Sequence, residues 1–141
     1  MSTIIKFWTR KKFFGPPAKF SHVEYYDSEK AKSFSADGYH NIVGWRDVQY
    51  SHPQWWVALE IPADELTSPD MARLLADNIA SKSEGYDYLG AFTCRWDGRQ
   101  DSKKWFCSEA VARCLGFRSR PTPQKLYDRL VKIGCKRVGF I

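Results

Sequence analysis

Nucleophilic chemistry in this chain has to be built from four cysteines and three histidines. A cysteine attacks as its thiolate, and a helix N terminus and neighbouring cations both favour that form. Cys107, in the stretch Trp105-Phe106-Cys107-Ser108-Glu109-Ala110, meets both conditions. It falls in the first turn of a helix predicted from about Trp105 to Leu115, and Lys103 and Lys104 precede it. Cys114 lies two turns further along the same helix at a similar phase, without the helix-end position. Cys94, Cys114 and Cys135 read as buried small hydrophobes. Glu109 reads as a first-turn carboxylate that favours the helix and works against a thiolate.

The thiolate needs a base. His22 sits in the alternating, β-rich segment Phe20-Ser21-His22-Val23-Glu24-Tyr25, and a strand holds a side chain more rigidly than a loop does. Glu24 and Phe20 share the His22 face of that strand. Alternate residues on a strand are about 7 Å apart at the Cα, so a long or water-bridged contact between Glu24 and His22 is expected. Glu24 can equally be an edge carboxylate paired to a nearby Lys or Arg. His40 and His52 lie in turn-like stretches and read as surface residues. No CxxC pair and no Cys/His spacing typical of zinc is present, so neither a metal nor a cofactor is expected.

These side chains need elements to position them. Short strands are predicted at Ile4 to Trp8, Phe20 to Tyr26, Ser33 to Ala36, Ile42 to Val48 and Trp55 to Ile61, with Asp37-Gly38 as a turn signal. Ser68-Pro69-Asp70 opens a helix as N-cap, first-position proline and first-turn acid. Met71, Leu74, Leu75 and Ile79 then mark its apolar face, and Gly85 ends it. After the Cys107 helix and Gly116, a third helix starts at Thr122-Pro123, carries Leu126, Leu130 and Val131, and stops at Gly134. Lys136 to Ile141 can return as a last strand. The expected fold is α+β, an antiparallel, barrel-like sheet packed against about three helices.

A chain of 141 residues makes a single domain, 1–141, and 43% hydrophobic with 27% charged residues describes an ordinary globule. Six Trp, seven Tyr and nine Phe supply much of the core and enough aromatic surface to line a site. No apolar run approaches the roughly 20 residues of a transmembrane helix. The N-terminal residues carry no signal-peptide pattern, so a cytoplasmic product without a disulfide framework is expected. The net charge of +6 gathers at Lys6, Arg10, Lys11 and Lys12, and at Arg113, Arg118, Arg120, Lys125, Arg129, Lys132, Lys136 and Arg137. Such clusters suit an acidic partner or are a solvated basic face, and no nucleic-acid motif accompanies them.

Phe20-Ser21-His22-Val23-Glu24 followed far downstream by Trp105-Phe106-Cys107-Ser108-Glu109 resembles the circularly permuted branch of the NlpC-type papain-like hydrolases. It is most similar to the YiiX/YaeF-like group and its small phage-encoded relatives. There the His strand leads and the Cys helix trails, the reverse of the unpermuted order. Tyr86-Asp87-Tyr88-Leu89-Gly90 before the Cys helix and Pro123-Gln124-Lys125-Leu126-Tyr127 after it add to the likeness, which spans roughly residues 4 to 130. No single motif decides it; their order and spacing do.

The resemblance implies a permuted papain-like fold, with Cys107 as nucleophile and His22 as general base. Tyr86 and Tyr88 would line the pocket or pack beneath the Cys helix. In such relatives the third, orienting group is often a Glu on the strand after the His strand; the matching position here is near Ser35, and Glu24 is the candidate replacement. The implied activity is a thiol hydrolase, amidase- or peptidase-like, or an acyltransferase, working through a Cys acyl-enzyme on peptidoglycan-type peptides or acyl groups. The alternative is a phage virion protein on the same fold, in contact with other virion proteins and with little or no turnover. A third reading is a nucleic-acid-binding or anti-defence protein using its net charge. The expected location is the host cytoplasm or the virion.

Overall fold

A computed structural model describes residues 3–8, 20, 22–37, 41–48, 56–62, 66–85 and 105–139. Six strands form one antiparallel sheet: β1 (Thr3–Trp8), β2 (His22–Asp27), β3 (Lys32–Asp37), β4 (Ile42–Arg46), β5 (Trp56–Ile61) and β6 (Lys136–Val138). Their spatial order is β4-β3-β2-β1-β5-β6. Among the described residues, three helices follow the first five strands: α1 (Pro69–Lys82), α2 (Cys107–Cys114) and α3 (Pro123–Ile133). The α+β class and the antiparallel sheet agree with the sequence. The sheet is open and not barrel-like, because β4 and β6 stand at opposite edges and do not pair with each other. A barrel needs its first and last strands hydrogen-bonded; β6 has three residues and pairs with β5.

The core gathers Ile5, Phe7, Val23, Tyr25, Phe34, Ala36, Leu59 and Ile61 from the sheet with Ala72, Ala76, Ile79, Ala110, Val111, Leu126 and Leu130 from the helices. Helix α2 is the central element. Cys107, Ser108, Glu109, Ala110, Val111, Ala112 and Cys114 are all buried, and the helix packs against β2, β3, α1 and α3. Its small side chains permit that enclosure, since a bulky residue on any face would hold off one neighbour.

Helix caps follow the local chemistry read from the sequence. Ser68 Oγ accepts from the Met71 N–H at 3.2 Å and Thr122 Oγ1 from the Lys125 N–H at 3.2 Å, and proline follows each cap. Gly134 ends α3 at φ 113°, a left-handed conformation that favours glycine. Gly85, at φ 126°, accepts from the Trp105 N–H at 3.2 Å, tying the exit of α1 to the approach to Cys107.

The buried face of α1 keeps the expected Ile79 but not Met71 and Leu74. Met71 and Leu74 are 48% and 60% exposed, and the helix is buried through Ala72, Ala76 and Ile79. Arg73 explains the rotation. Its Nε donates to Asp27 Oδ2 at 2.6 Å, and it also bridges Glu29 and Asp70. Asp27 is buried in β2, so turning Met71 and Leu74 inward would strip a buried carboxylate of its cation. On α3, Val131 is likewise exposed at 46%.

Leu74→Ala should therefore change stability by less than about 0.5 kcal/mol, whereas Ala76→Leu should cost about 1–3 kcal/mol by overpacking. Urea unfolding midpoints of the two variants check this; the reverse ranking would put the other face of α1 in the core.

Candidate active site

Cys107 is the first residue of α2. Phe106, at φ −108° and ψ 165°, is its N-cap, and the first backbone bond of the helix runs from the Ala110 N–H to the Phe106 carbonyl at 2.9 Å. The N–H groups of Cys107 and Ser108 lie before that bond and have no carbonyl partner within the helix. They and the helix dipole favour negative charge at the thiol.

The first turn is braced from two sides. Ser108 Oγ donates to the Pro121 carbonyl at 2.5 Å. Glu109 Oε1 accepts from the Phe106 N–H at 3.4 Å, and its Oε2 accepts from Arg120 Nε at 3.0 Å, with the Arg120 guanidinium 5.4 Å from the Phe106 ring centroid. The buried Glu109 carboxylate thus carries its own buried cation. Its charge is neutralised locally, which removes the objection to a glutamate two residues from a nucleophile.

His22 is the first residue of β2, and the start of α2 meets it there: the Cys107 thiol is near enough to the His22 imidazole to help raise its pKa. On the other side, His22 Nε2 lies 3.0 Å from Glu24 Oε2, which leaves Nδ1 as the ring nitrogen available to the thiol. The long or water-bridged contact expected from strand spacing is a direct one. Strand rise separates Cα atoms, but the glutamate stem and the imidazole can lean along the strand toward each other.

Burial alone would lower the His22 pKa. Hydrogen bonds to Cys107 and Glu24, and the negative charge of both, outweigh it and push the imidazole up to about 10. These contacts favour the imidazolium form of His22.

The sheet register adds residues that the sequence reading did not place. Lys6 stands opposite Glu24 on β2 and Ala58 on β5, and Trp8 stands opposite His22 and Trp56. Lys6 is fully buried, with its Nζ 4.7 Å from the Trp56 ring centroid. Trp56 meets Trp8 edge-on at 5.0 Å and the His22 ring at 6.5 Å. Lys6 is therefore no part of a solvated basic face. A sequence signal for this existed: Ile4, Ile5, Phe7 and Trp8 make β1 apolar on both sides, the mark of a strand covered on both faces.

Ser35 is buried on β3, and its Oγ has no hydrogen-bond partner. It lies one step beyond the last paired residues of β2 and β3, Tyr25 and Phe34. Between the two candidates for the orienting group, only Glu24 is hydrogen-bonded to His22. Tyr86 and Tyr88, together with Cys94, His40, His52, Lys103 and Lys104, lie outside the described residues. Cys114 is fully buried, and burial pushes its thiol well above the ordinary range; Cys135 is buried as well. Among the described residues no group of three or more His, Cys, Asp or Glu side chains is placed to hold a metal ion, and no helix is long and apolar enough to cross a membrane.

The late basic cluster divides. Arg120 pairs with Glu109, and Arg113 stacks 5.5 Å from the Trp105 ring centroid. Arg118, Lys125, Arg129, Lys132, Lys136 and Arg137 are exposed, so a basic surface exists on α3, β6 and the segment before α3.

Two outcomes are expected. The His22 imidazole should titrate near 10 in the folded chain, followed by its Hε1 NMR signal, and Cys107→Ala and Glu24→Gln should each lower that value. Because the folded pKa lies above the unfolded value near 6.5, the stability His22 contributes is complete below pH 6.5 and is lost as pH rises through about 10. A wild-type imidazole titrating at its ordinary value would exclude the ion pair. Separately, Arg120→Leu should cost about 3–5 kcal/mol by leaving Glu109 buried and uncompensated, read from thermal unfolding; a loss under 1 kcal/mol would mean that the pair is not buried in solution.

No protein-family model matches the chain, and no curated protein or solved structure matches it either.

Proposed function

We propose that the chain is a thiol hydrolase or acyltransferase of the permuted papain-like kind, acting on an amide or ester bond. The observation that carries the reading is the placement of His22, beside the Cys107 thiol at a helix N terminus and 3.0 Å from Glu24. A nucleophile, a base and a carboxylate that orients the base are the three parts acyl transfer needs.

The steps follow from these positions. The Cys107 thiolate attacks the carbonyl carbon, and the developing oxyanion is met by the N–H groups at the start of α2. The tetrahedral intermediate collapses, the bond to the leaving amine or alcohol breaks, and the His22 imidazolium gives that group its proton. Neutral His22 then takes a proton from water or another acceptor, whose oxygen or nitrogen attacks the thioester. The acyl product leaves, and the thiolate–imidazolium pair is restored. Glu24 holds the imidazole by Nε2 and stabilises its cationic form throughout.

The resemblance of the His22 and Cys107 segments to the NlpC-type group suggests peptidoglycan-type peptides or acyl groups as substrates and a phage-encoded origin. The exposed basic surface of α3 and β6 suits an anionic wall polymer. A virion protein without turnover was the competing idea, motivated by a serine at the expected position of the orienting carboxylate. Glu24 supplies a carboxylate from the His strand itself, which supports the enzymatic reading.

The test combines the purified chain, cell-wall fragments and activated ester or amide substrates, with intact-mass spectrometry of the protein. The wild type should form an acyl adduct on Cys107 and release product. Cys107→Ala should do neither, and His22→Ala should lose about 10²–10⁴-fold in rate, the usual range for a general base. Turnover undiminished in Cys107→Ala would end the proposal.

A further inference from the structure

Lys6 is a lysine with no exposed surface, on a strand between the one that bears the base and the one that bears Trp56. An ammonium group taken fully out of water is costly unless an anion compensates it. Burial lowers the Lys6 pKa; the register sets Glu24 directly across from it, and the charge of Glu24 opposes that lowering. Glu24 itself is buried, with Oε2 on His22 and Oε1 without a hydrogen-bond partner. One oxygen of this carboxylate is thus fixed by the imidazole, while its other oxygen is fixed by no hydrogen bond. A field from a neighbouring cation can keep such a carboxylate from turning away.

We propose that Lys6 is a positioning residue: its buried ammonium, across the strand pair from Glu24, holds that carboxylate in the orientation that keeps His22 on Cys107. Trp56 supports the arrangement. Its ring lies under the Lys6 Nζ at 4.7 Å, a cation–π distance, and edge-on to His22. The charged or titratable side chains around this strip, among the described residues, are His22 and Glu24 from β2, Lys6 from β1 and Cys107 from α2; Glu109 from α2 is already paired with Arg120. Next to Lys6, β5 offers Ala58 and Trp56, and on the far side of β2, β3 offers Ser35, none of which carries charge. Lys6 is the cation on the Glu24 side of the imidazole in this set. The inference rests on the catalytic reading of Cys107, His22 and Glu24 for its functional meaning, but not for its geometry.

The sign of one measurement tests it. A cation that does nothing but repel its neighbours lowers the pKa of His22, so removing it raises that value. A cation that orients Glu24 raises the pKa of His22 through the carboxylate, so removing it lowers that value. Lys6→Met in the full chain, with the His22 Hε1 signal followed by NMR across the pH range, should shift the imidazole titration downward, toward that of Glu24→Gln. A shift upward, or none, overturns the proposal.

Lys6→Met alone can fail to fold, because it removes one of the two cations that compensate the buried Glu24. Glu24→Gln with and without Lys6→Met then decides, since both charges are gone in the double variant. With the carboxylate gone, removing Lys6 should leave the His22 titration unchanged or raise it by relieving repulsion; a fall in the double variant would mean that Lys6 acts on His22 without Glu24, and overturns the proposal. None of these readouts uses a substrate. Absence of turnover would end the enzymatic reading and leave the Lys6 result standing, while a wrong sign for Lys6 would leave the roles of Cys107 and His22 intact.

Discussion

Helix α2 has almost no solvent face, and the site depends on that enclosure. Strands β2 and β3, α1 and α3 all pack on it, so its axis cannot shift without opening the core. Its first residue is Cys107, and the strand it lies against begins with His22. The meeting of the two side chains is therefore a by-product of packing small residues, Ala110, Val111 and Ala112, against the sheet. The bonds of Ser108 to Pro121 and of Glu109 to Arg120 fix the one end of the helix that packing alone leaves free.

Buried charge is the second constraint. Lys6, Glu24, Asp27 and Glu109 are all removed from water, and a domain of this size has little stability to spare for unpaired charges. Each has a partner close by. Asp27 is met by Arg73, Glu109 by Arg120, and Glu24 by His22 with Lys6 across the strand. The first two pairs lock elements together, α1 to β2 and the segment before α3 to α2. The third contains a group that can exchange a proton with a bound molecule. The same electrostatic rule yields structural clamps at two places and the proposed reactive centre at the third, the difference being a histidine and a neighbouring thiol.

Local order in the chain was legible because local chemistry sets it. Ser68-Pro69 and Thr122-Pro123 cap their helices through their own hydroxyls, and Gly134 ends α3 because the left-handed conformation there suits glycine. Cys107 at a helix start and His22 on a strand were readable for the same reason. Which face of α1 is buried was not, because Arg73 and Asp27 are 46 residues apart in sequence. Met71 and Leu74 have the spacing of a core stripe and lie outside it.

By itself the sequence determined the α+β class and the order of strands and helices, since these rest on periodicity, capping and residue type; the pairing of Cys107 with His22 was an expectation that the resemblance implied. Only the tertiary structure decided that Glu24 and not Ser35 is bonded to His22, that Lys6 is buried beside them, and that Arg120 belongs to Glu109 and not to a basic surface. Charge counted along a chain says nothing of where a side chain is desolvated; strand register and helix packing settle that, and with it which charges must find each other.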